Sequence, residues 1–536
     1  MKMKKLFFLS MTLVFLMLAA CSNDSSKAEN NDGLDNMNES GFPIVKEPIT
    51  LEMFATEQSI PVDWNDIFIW NEYEDMTNIN VEWTQVPGES VEEKRNLALG
   101  SGGDLPDAFY ISSIPSNDIY KYGKQGTFLE LSDLIDKYAP NLKELMEEYP
   151  DIRKGMTFPD GNIYSLPSLV SPDYLSFRVG DRPYINKVWL DDLNMDVPET
   201  TEEFYQYLKA VKEEDPNGNG EADEVPYGAP SITGLVGWLR GSFGIANRGV
   251  RNANIDWDEE KGEVRFYPTT DRYKEMLEYI NKLYEEELIE QNIFSIEWGQ
   301  YLANAADGMY GSTVFYDPVE LYGEEAGKEF DSLGALEGPH GDKGFSKVSP
   351  LVASIGNFVM TEANENPAAT MRWMDYFYSD EGTKFFYMGI EDETYEVTDD
   401  GEYVYVDKIR NSDEGKTLEQ EAAQYFAWIG GFVGIVKEEY YSGSESTPGS
   451  IEAAKKLEPH MPDELWPGFT YTEEENKFLT SVGADIEKYV NEMRDKFITG
   501  KEPLSEWDNY VEALEKMGLE DYMEVQQDAY ERYKEN

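Results

Sequence analysis

At 536 residues, with 40% apolar and 13% aromatic side chains, the chain can bury large cores and should form more than one lobe. Its 106 acidic residues against 45 basic ones give a formal charge of -61. That balance argues against nucleic acid, whose phosphates need Lys and Arg, and against adsorption of the protein surface to anionic lipid. One cysteine, Cys21, and two histidines, His340 and His460, permit neither a disulfide framework nor a Cys/His zinc cluster.

The chain opens with Met1-Lys2-Met3-Lys4-Lys5, an apolar run from Leu6 to Leu18, and Ala19-Ala20 before Cys21. A charged start, a short apolar core and small residues make a signal peptide. Leu18-Ala19-Ala20-Cys21 resembles the lipobox of bacterial lipoproteins, which implies that Cys21 is diacylated and becomes the first residue of a tethered protein. No later run approaches the roughly 20 apolar residues of a membrane span. Residues 22–46, rich in Ser, Asn, Asp and Glu, are expected to be a flexible tether.

Globular sequence is expected to start near Ile49–Ala55, an alternating strand. A helical segment to Met76, a strand at Ile79–Trp83, a helix through Lys94–Leu99 and a strand at Asp107–Ile111 follow. Such alternation predicts βαβ units on a mostly parallel sheet. Leu129–Tyr138 and Asn141–Tyr149 read as helices, and Tyr174–Val179 and Tyr184–Asn186 as extended segments.

Thr200 and Glu203 have capping-box spacing, and Phe204, Leu208 and Val211 make one helical stripe that must end by Pro216. Beyond it, Asp215, Asn217 and Asn219 alternate ahead of Gly220, the first half of an EF-hand-type loop. Glu221 would add a backbone carbonyl. The twelfth position is Pro226 rather than a bidentate Glu, so Asp223 and Glu224 would have to close the shell. A structural calcium ion is the expected cofactor. Further on, strands are expected at Met309–Tyr316 and Leu351–Met360, a helix at Ala368–Tyr378, a hairpin turn at Asp399-Asp400-Gly401, and helices from Ala484 to the end. No repeat of fixed period is present.

These landmarks together resemble the extracellular solute-binding proteins of bacterial ABC importers, in particular the large oligosaccharide-binding lipoproteins of the alginate-binding type. The resemblance rests on the lipobox, Gly100–Asp107, Gly126–Leu134, Asp160–Tyr164, Tyr184–Leu190 and the Asp-Pro-Asn-Gly-Asn-Gly loop. Tyr378–Gly382, Gly389–Glu391 with Thr394-Tyr395, and Phe497–Gly500 with Trp507 add to it. It implies an α/β fold of the type II periplasmic-binding-protein kind, with discontinuous lobes joined by a hinge. The lobes would be 47–180 plus 347–395, and 181–346 plus 396–536. It further implies a calcium site at Asp215, Asn217, Asn219, Glu221, Asp223 and Glu224, an oligosaccharide ligand, ABC permease subunits as partners, a monomer, and a place on the outer face of the cell membrane.

Sugars expose apolar ring faces, so aromatic residues beside loops are the ligand candidates: Trp64, Trp238, Trp298, Tyr316, Trp428 and Trp466. Arg178, Arg182 and Arg240 are possible planar donors. Trp189 and Trp373 lie on apolar stripes and are expected in the core. In such folds ligand sits beyond the carboxyl ends of strands, here Thr56–Trp70, Ile111–Ser116 and Tyr316-Asp317. A peptide or signal-molecule receptor would use the same fold. A glycoside hydrolase would need two placed carboxylates, and no such pair stands out, so no enzymatic activity is expected.

Overall fold

Two sheets, each with its own core, organise the chain; the computed structural model describes residues 34–536 apart from 59, 101–104, 222, 413–414 and 428–432. In chain order the strands are β1 (Ile49–Thr56), β2 (Ile79–Val86), β3 (Ala108–Tyr110), β4 (Leu166–Val170), β5 (Arg182–Asn186), β6 (Val225–Tyr227) and β7 (Ile255–Asp258). They continue as β8 (Glu263–Phe266), β9 (Tyr310–Phe315), β10 (Phe330–Ser332), β11 (Val352–Met360), β12 (Tyr395–Val397), β13 (Tyr403–Tyr405) and β14 (Gly434–Val436). The first sheet has the order β14-β4-β11-β3-β1-β2, and the second β10-β5-β9-β6. β12–β13 and β7–β8 are separate hairpins.

In the first sheet β1 runs parallel to β2 and β3, β14 parallel to β4, and β11 antiparallel to both β3 and β4. β3, β4 and the last half of β1 are buried on both faces because helices cover both. Met53, Ala55, Ala108 and Tyr110 face one cluster, and Phe54 and Phe109 the other. Trp373 belongs to the first of these clusters and Trp189 to the core of the second lobe, so both are core residues as their stripes predict. The second sheet is mixed, with β5 antiparallel to β9 and β10 and β6 parallel to β9.

The chain passes between the lobes three times, after β4, before β11 and after β14. Val170 N donates to the Leu351 carbonyl (3.0 Å), Ser171 N to the Val436 carbonyl (2.9 Å) and Ser349 N to the Arg178 carbonyl (2.8 Å), binding the crossings side by side. The last crossing corrects the boundary expected at residue 396. Because β14 pairs with β4, the chain stays with the first lobe through about residue 440.

Two further expectations are overturned. Residues 174–179 are not extended, because Leu175–Val179 forms a helical turn. Residues 34–46 are not a loose tether: Ile44 and Val45 are buried and bond to the Thr77 carbonyl, and Arg372 donates to the carbonyls of Asn38 and Gly41 (2.8 Å for the latter). The helix Thr201–Glu213 does carry the expected capping box, with Thr200 Oγ1 accepting from Glu203 N (3.1 Å) and Glu203 Oε2 from Thr200 N (3.0 Å).

Candidate functional site: the interlobe cleft and the 215–224 loop

Strand direction locates the cleft. β3 and β4 are both antiparallel to β11, so β1, β3, β4 and β14 all end at one edge of the first sheet, the edge from which the crossings leave. β5 enters the second sheet from a crossing, and β9 runs against it, so β9 ends at the edge facing the first lobe. The loops after β1, β3 and β9 therefore meet across one cleft, at the carboxyl ends where α/β sheets place ligands.

On the second lobe that cleft presents a shelf of rings. β9 is buried throughout, but the next residue, Tyr316, is 46% exposed, and Trp298, at the start of the helix Trp298–Ala306, is 53% exposed. Trp298 stacks on Phe315 (6.0 Å between centroids, 25°), and Phe315 meets Tyr316 edge-on (5.7 Å). The shelf is rigidly seated. Buried Arg182 and the Tyr184 hydroxyl both donate to the Tyr316 carbonyl, and Arg182 also donates to the Ser176 carbonyl. A buried guanidinium is tolerated here because both of its terminal nitrogens donate to carbonyls, while its Nε is left without a partner.

Asp317 then ties the shelf to the third crossing. One of its oxygens caps the helix Pro318–Tyr322 through Val319 N (2.7 Å), and the other accepts from Thr447 Oγ1 (2.5 Å) and Ser450 Oγ (3.2 Å). On the same crossing Tyr441 packs edge-on against Phe177 (5.4 Å) and Tyr387 (5.6 Å). Gly443 permits this fold-back, since a Cβ there would stand 2.2 Å from the Tyr441 ring. Burial, then the carboxylates of Asp181, Glu445 and Glu320, raise the Tyr316 hydroxyl above its ordinary range. Neither Tyr441 nor these carboxylates is distinguishable in the sequence from the many other tyrosines and acids.

Across the cleft, the loop after β3 holds Ile111 and Ser113 at φ of +48°, a conformation costly for a β-branched residue. Arg95 secures it by donating to the carbonyls of Ser112 (2.7 Å) and Ser113 (3.0 Å).

The structure brings only part of the expected ligand set to this cleft. Trp64 is fully buried among Trp70, Trp83 and Tyr110, so it is core and not a ligand platform. Trp238 packs edge-on to Phe204 and donates to the Gly334 carbonyl (3.2 Å), and Trp466 is enclosed by Trp257, Phe469 and Tyr530; both are core. Arg178 spends its donors on the carbonyls of Ser349 (3.0 Å) and Pro172 (3.4 Å), so it braces two crossings. Beside it lies a cavity of ≈ 700 Å³ between the lobes, lined in part by Tyr149, Pro350, Glu438 and Lys455. Arg240 lies over the Tyr267 ring (5.5 Å). Trp428 and Cys21 lie outside the described residues.

In the 215–224 loop the side chains turn inward as the alternation requires. Asp215 accepts from Asn219 N (3.1 Å) and Gly220 N (2.8 Å), Asn217 Oδ1 from Asn219 N (3.0 Å), and Asn219 Oδ1 from Glu221 N (2.7 Å). The amide groups of Asn217 and Asn219 both point at Asp223 (3.1 Å). Gly218 and Gly220 take φ of +68° and +82°, which only glycine adopts freely. Glu224 Oε1 is shut off from solvent with no partner, and burial, then Asp215 and Asp223, push its carboxyl up. An oxygen-rich donor set with an orphaned, mutually repelling carboxylate suits a hard cation. Among the described residues no three acidic or histidine side chains are gathered tightly enough to hold a metal as they stand.

A protein-family model described as "Bacterial extracellular solute-binding protein" matches residues 62–384. The chain belongs to that family. The solute-binding protein is 30% identical over 540 residues to the fructooligosaccharide ABC transporter substrate-binding protein FusA of Streptococcus pneumoniae, covering 98% of this chain and 97% of FusA. The structure of FusA in complex with kestose superposes with a TM-score of 0.73 at 29% identity, over 91% of this chain and 100% of that one. FusA has also been solved as an EF-hand mutant. The polygalacturonan/rhamnogalacturonan-binding protein YtcQ of Bacillus subtilis is 23% identical, covering 96% of each chain. The two-lobe α/β fold is that of solved solute-binding proteins. No helix among the described residues is long and apolar enough to cross a membrane.

Proposed function

We propose that this solute-binding protein captures an oligosaccharide between its lobes and hands it to the membrane permease of an ABC importer, without covalent chemistry. The observation that carries the reading is the half-exposed Trp298–Tyr316 shelf, seated on a pinned backbone at the carboxyl end of β9. Exposed rings on a rigid support stack on sugar faces at little entropic cost. Tyr441 and the loop after β3 would meet the glycan from the other wall, and hinge closure about the three crossings would present the loaded form to the permease. The names of FusA and YtcQ point to glycans as ligands.

The protein acts as a monomer tethered outside the cell through acylated Cys21. A calcium ion held by Asp215, Asn217, Asn219, Glu221, Asp223 and Glu224 would neutralise the loop's carboxylates and lock the turn after the helix Thr201–Glu213. Thermal melting of residues 22–536 against a panel of oligosaccharides tests the ligand class, since a ligand of the folded state must raise Tm by mass action. A shift with at least one glycan, reduced at least tenfold in apparent affinity by Trp298→Ala, is expected. Peptide-only stabilisation would overturn the reading.

A further inference from the structure

The crossings separate the cleft from a second space between the lobes. The ≈ 700 Å³ cavity beside Arg178 is lined by parts of all three crossings (Pro172, Pro350 and Glu438 among them) and by Pro467 of the second lobe. Among the described residues, neither the ring shelf and Tyr441 nor the loops after β1, β3 and β9 line it. Beside this cavity the lobes touch again, away from the crossings. Thr470 Oγ1 donates to the Thr157 carbonyl (2.8 Å), Lys124 Nζ pairs with Glu473 (3.3 Å), and Lys154 Nζ lies over the Tyr533 ring (5.7 Å). Pro467 packs on Gly155, in the helix Pro150–Met156, so closely that a Cβ there would stand 2.9 Å from the proline Cβ.

The second lobe holds its half of this contact rigidly. Asn252 Nδ2 donates to the Pro467 carbonyl (2.8 Å), Asn252 Oδ1 accepts from Phe469 N (3.2 Å), and Trp466 N donates to the Arg248 carbonyl (3.0 Å). The buried Trp466 ring fixes the segment into the core. Arg532 donates to both Glu475 oxygens (2.9 and 2.5 Å), and Thr472 N donates to the same carboxylate (2.8 Å). The Leu-Trp-Pro-Gly run at 465–468 is thus a mount for an interlobe contact. Lys124 and Glu473 are both well exposed, so their ion pair adds little. The hydrogen bond and the proline–glycine contact carry the interaction.

Two spaces separated by one hinge respond to it in opposite senses. Rotation about the crossings that narrows the cleft must widen the far side, and close-packed surfaces part rather than stretch. We infer that the segment 465–475 is a lock against the first lobe, which holds the cleft open and which closure on a ligand has to part. Weakening the lock raises the fraction of molecules able to close, and apparent affinity rises with that fraction. This rests on the lobe closure in the reading above and adds what opposes it.

Solution scattering and calorimetry on residues 22–536 test it. Gly155→Leu drives a side chain into Pro467, and without any ligand the variant should have a smaller radius of gyration than wild type, with an unchanged circular dichroism spectrum. An equal or larger radius would overturn the lock. Should Gly155→Leu fail to fold, the double variant Lys124→Glu with Thr470→Val replaces it; it sets like charges face to face at the exposed edge, and the same outcomes apply. Calorimetry with trisaccharides of fructose, glucose and galactose gives the second readout. For whichever sugar binds wild type, Thr470→Val should lower the apparent Kd about threefold or more, the worth of one hydrogen bond made only in the open arrangement. A merely structural contact would leave Kd unchanged or raise it, and either result would overturn the lock. Failure of every sugar would remove the glycan reading while the ligand-free scattering result still decides the lock.

Discussion

Asp375 shows how much a single buried carboxyl contributes away from the cleft. Its oxygens accept from Asn141 N (3.1 Å), Leu142 N (2.9 Å) and Asn141 Nδ2 (2.7 Å), capping the helix Pro140–Glu148, which begins with proline and lacks a capping side chain of its own. Burial raises its pKa to about 6, against the opposing pull of those donors. An unfolded Asp ionises near pH 4. Between pH 4 and 6 the folded chain keeps a proton that the unfolded chain has released, so this group's contribution is complete below pH 4 and is lost as pH rises through 6. The loss is about 3 kcal/mol. In Asp375→Asn that slope disappears. Urea unfolding at pH 4.5 and 7 should show the variant gaining about 2 kcal/mol relative to wild type, the rest of the loss lying below pH 4.5, and a pH-independent difference would contradict the assignment. Residues of this kind are hidden in the sequence, where Asp375 is one acid among 106. Trp64, Trp238 and Trp466 were hidden in the opposite sense, since their loop-like neighbours conceal that each ring is enclosed by other aromatics from distant segments.

Elements written by local chemistry were legible. The capping box of Thr201–Glu213, its stop before Pro216 and the inward alternation after Asp215 each depend on residues only a few positions apart. Elements set by distant pairing were not. β14 is three residues long and exists because β4 offers it an edge, and Leu175–Val179 is a single turn fixed by the crossings around it. The 215–224 loop gives this scale its prediction. Calcium should raise Tm, and Asp215→Ala, which removes the acceptor of two backbone amides as well as a proposed calcium ligand, should abolish most of that rise. An equal rise in the variant would place calcium elsewhere.

At the scale of the molecule, three crossings and two independent cores allow the lobes to move as bodies while each keeps its own packing. The bridge from Asp317 to Thr447 and Ser450 makes the end of β9 part of the third crossing, so shelf and crossing must travel together. Solution scattering should show the radius of gyration falling when a saturating oligosaccharide ligand is added, and Tyr316→Ala, with its backbone anchors intact, should shift the midpoint of that change to higher sugar concentration. An unchanged radius at saturation would mean that binding does not close the cleft.

The strap at residues 34–47 fixes the reach of the whole assembly. With Ile44 and Val45 buried and Arg372 holding Asn38 and Gly41, a pull on the amino end is borne by the first lobe rather than taken up as slack. Residues 22–33 alone separate that lobe from Cys21, twelve links that span about 40 Å at full extension. Were the protein held to the membrane through Cys21, as proposed above, that reach would confine it to a shallow layer above the bilayer, where its local concentration at a permease would be set by the length of this segment rather than by expression alone.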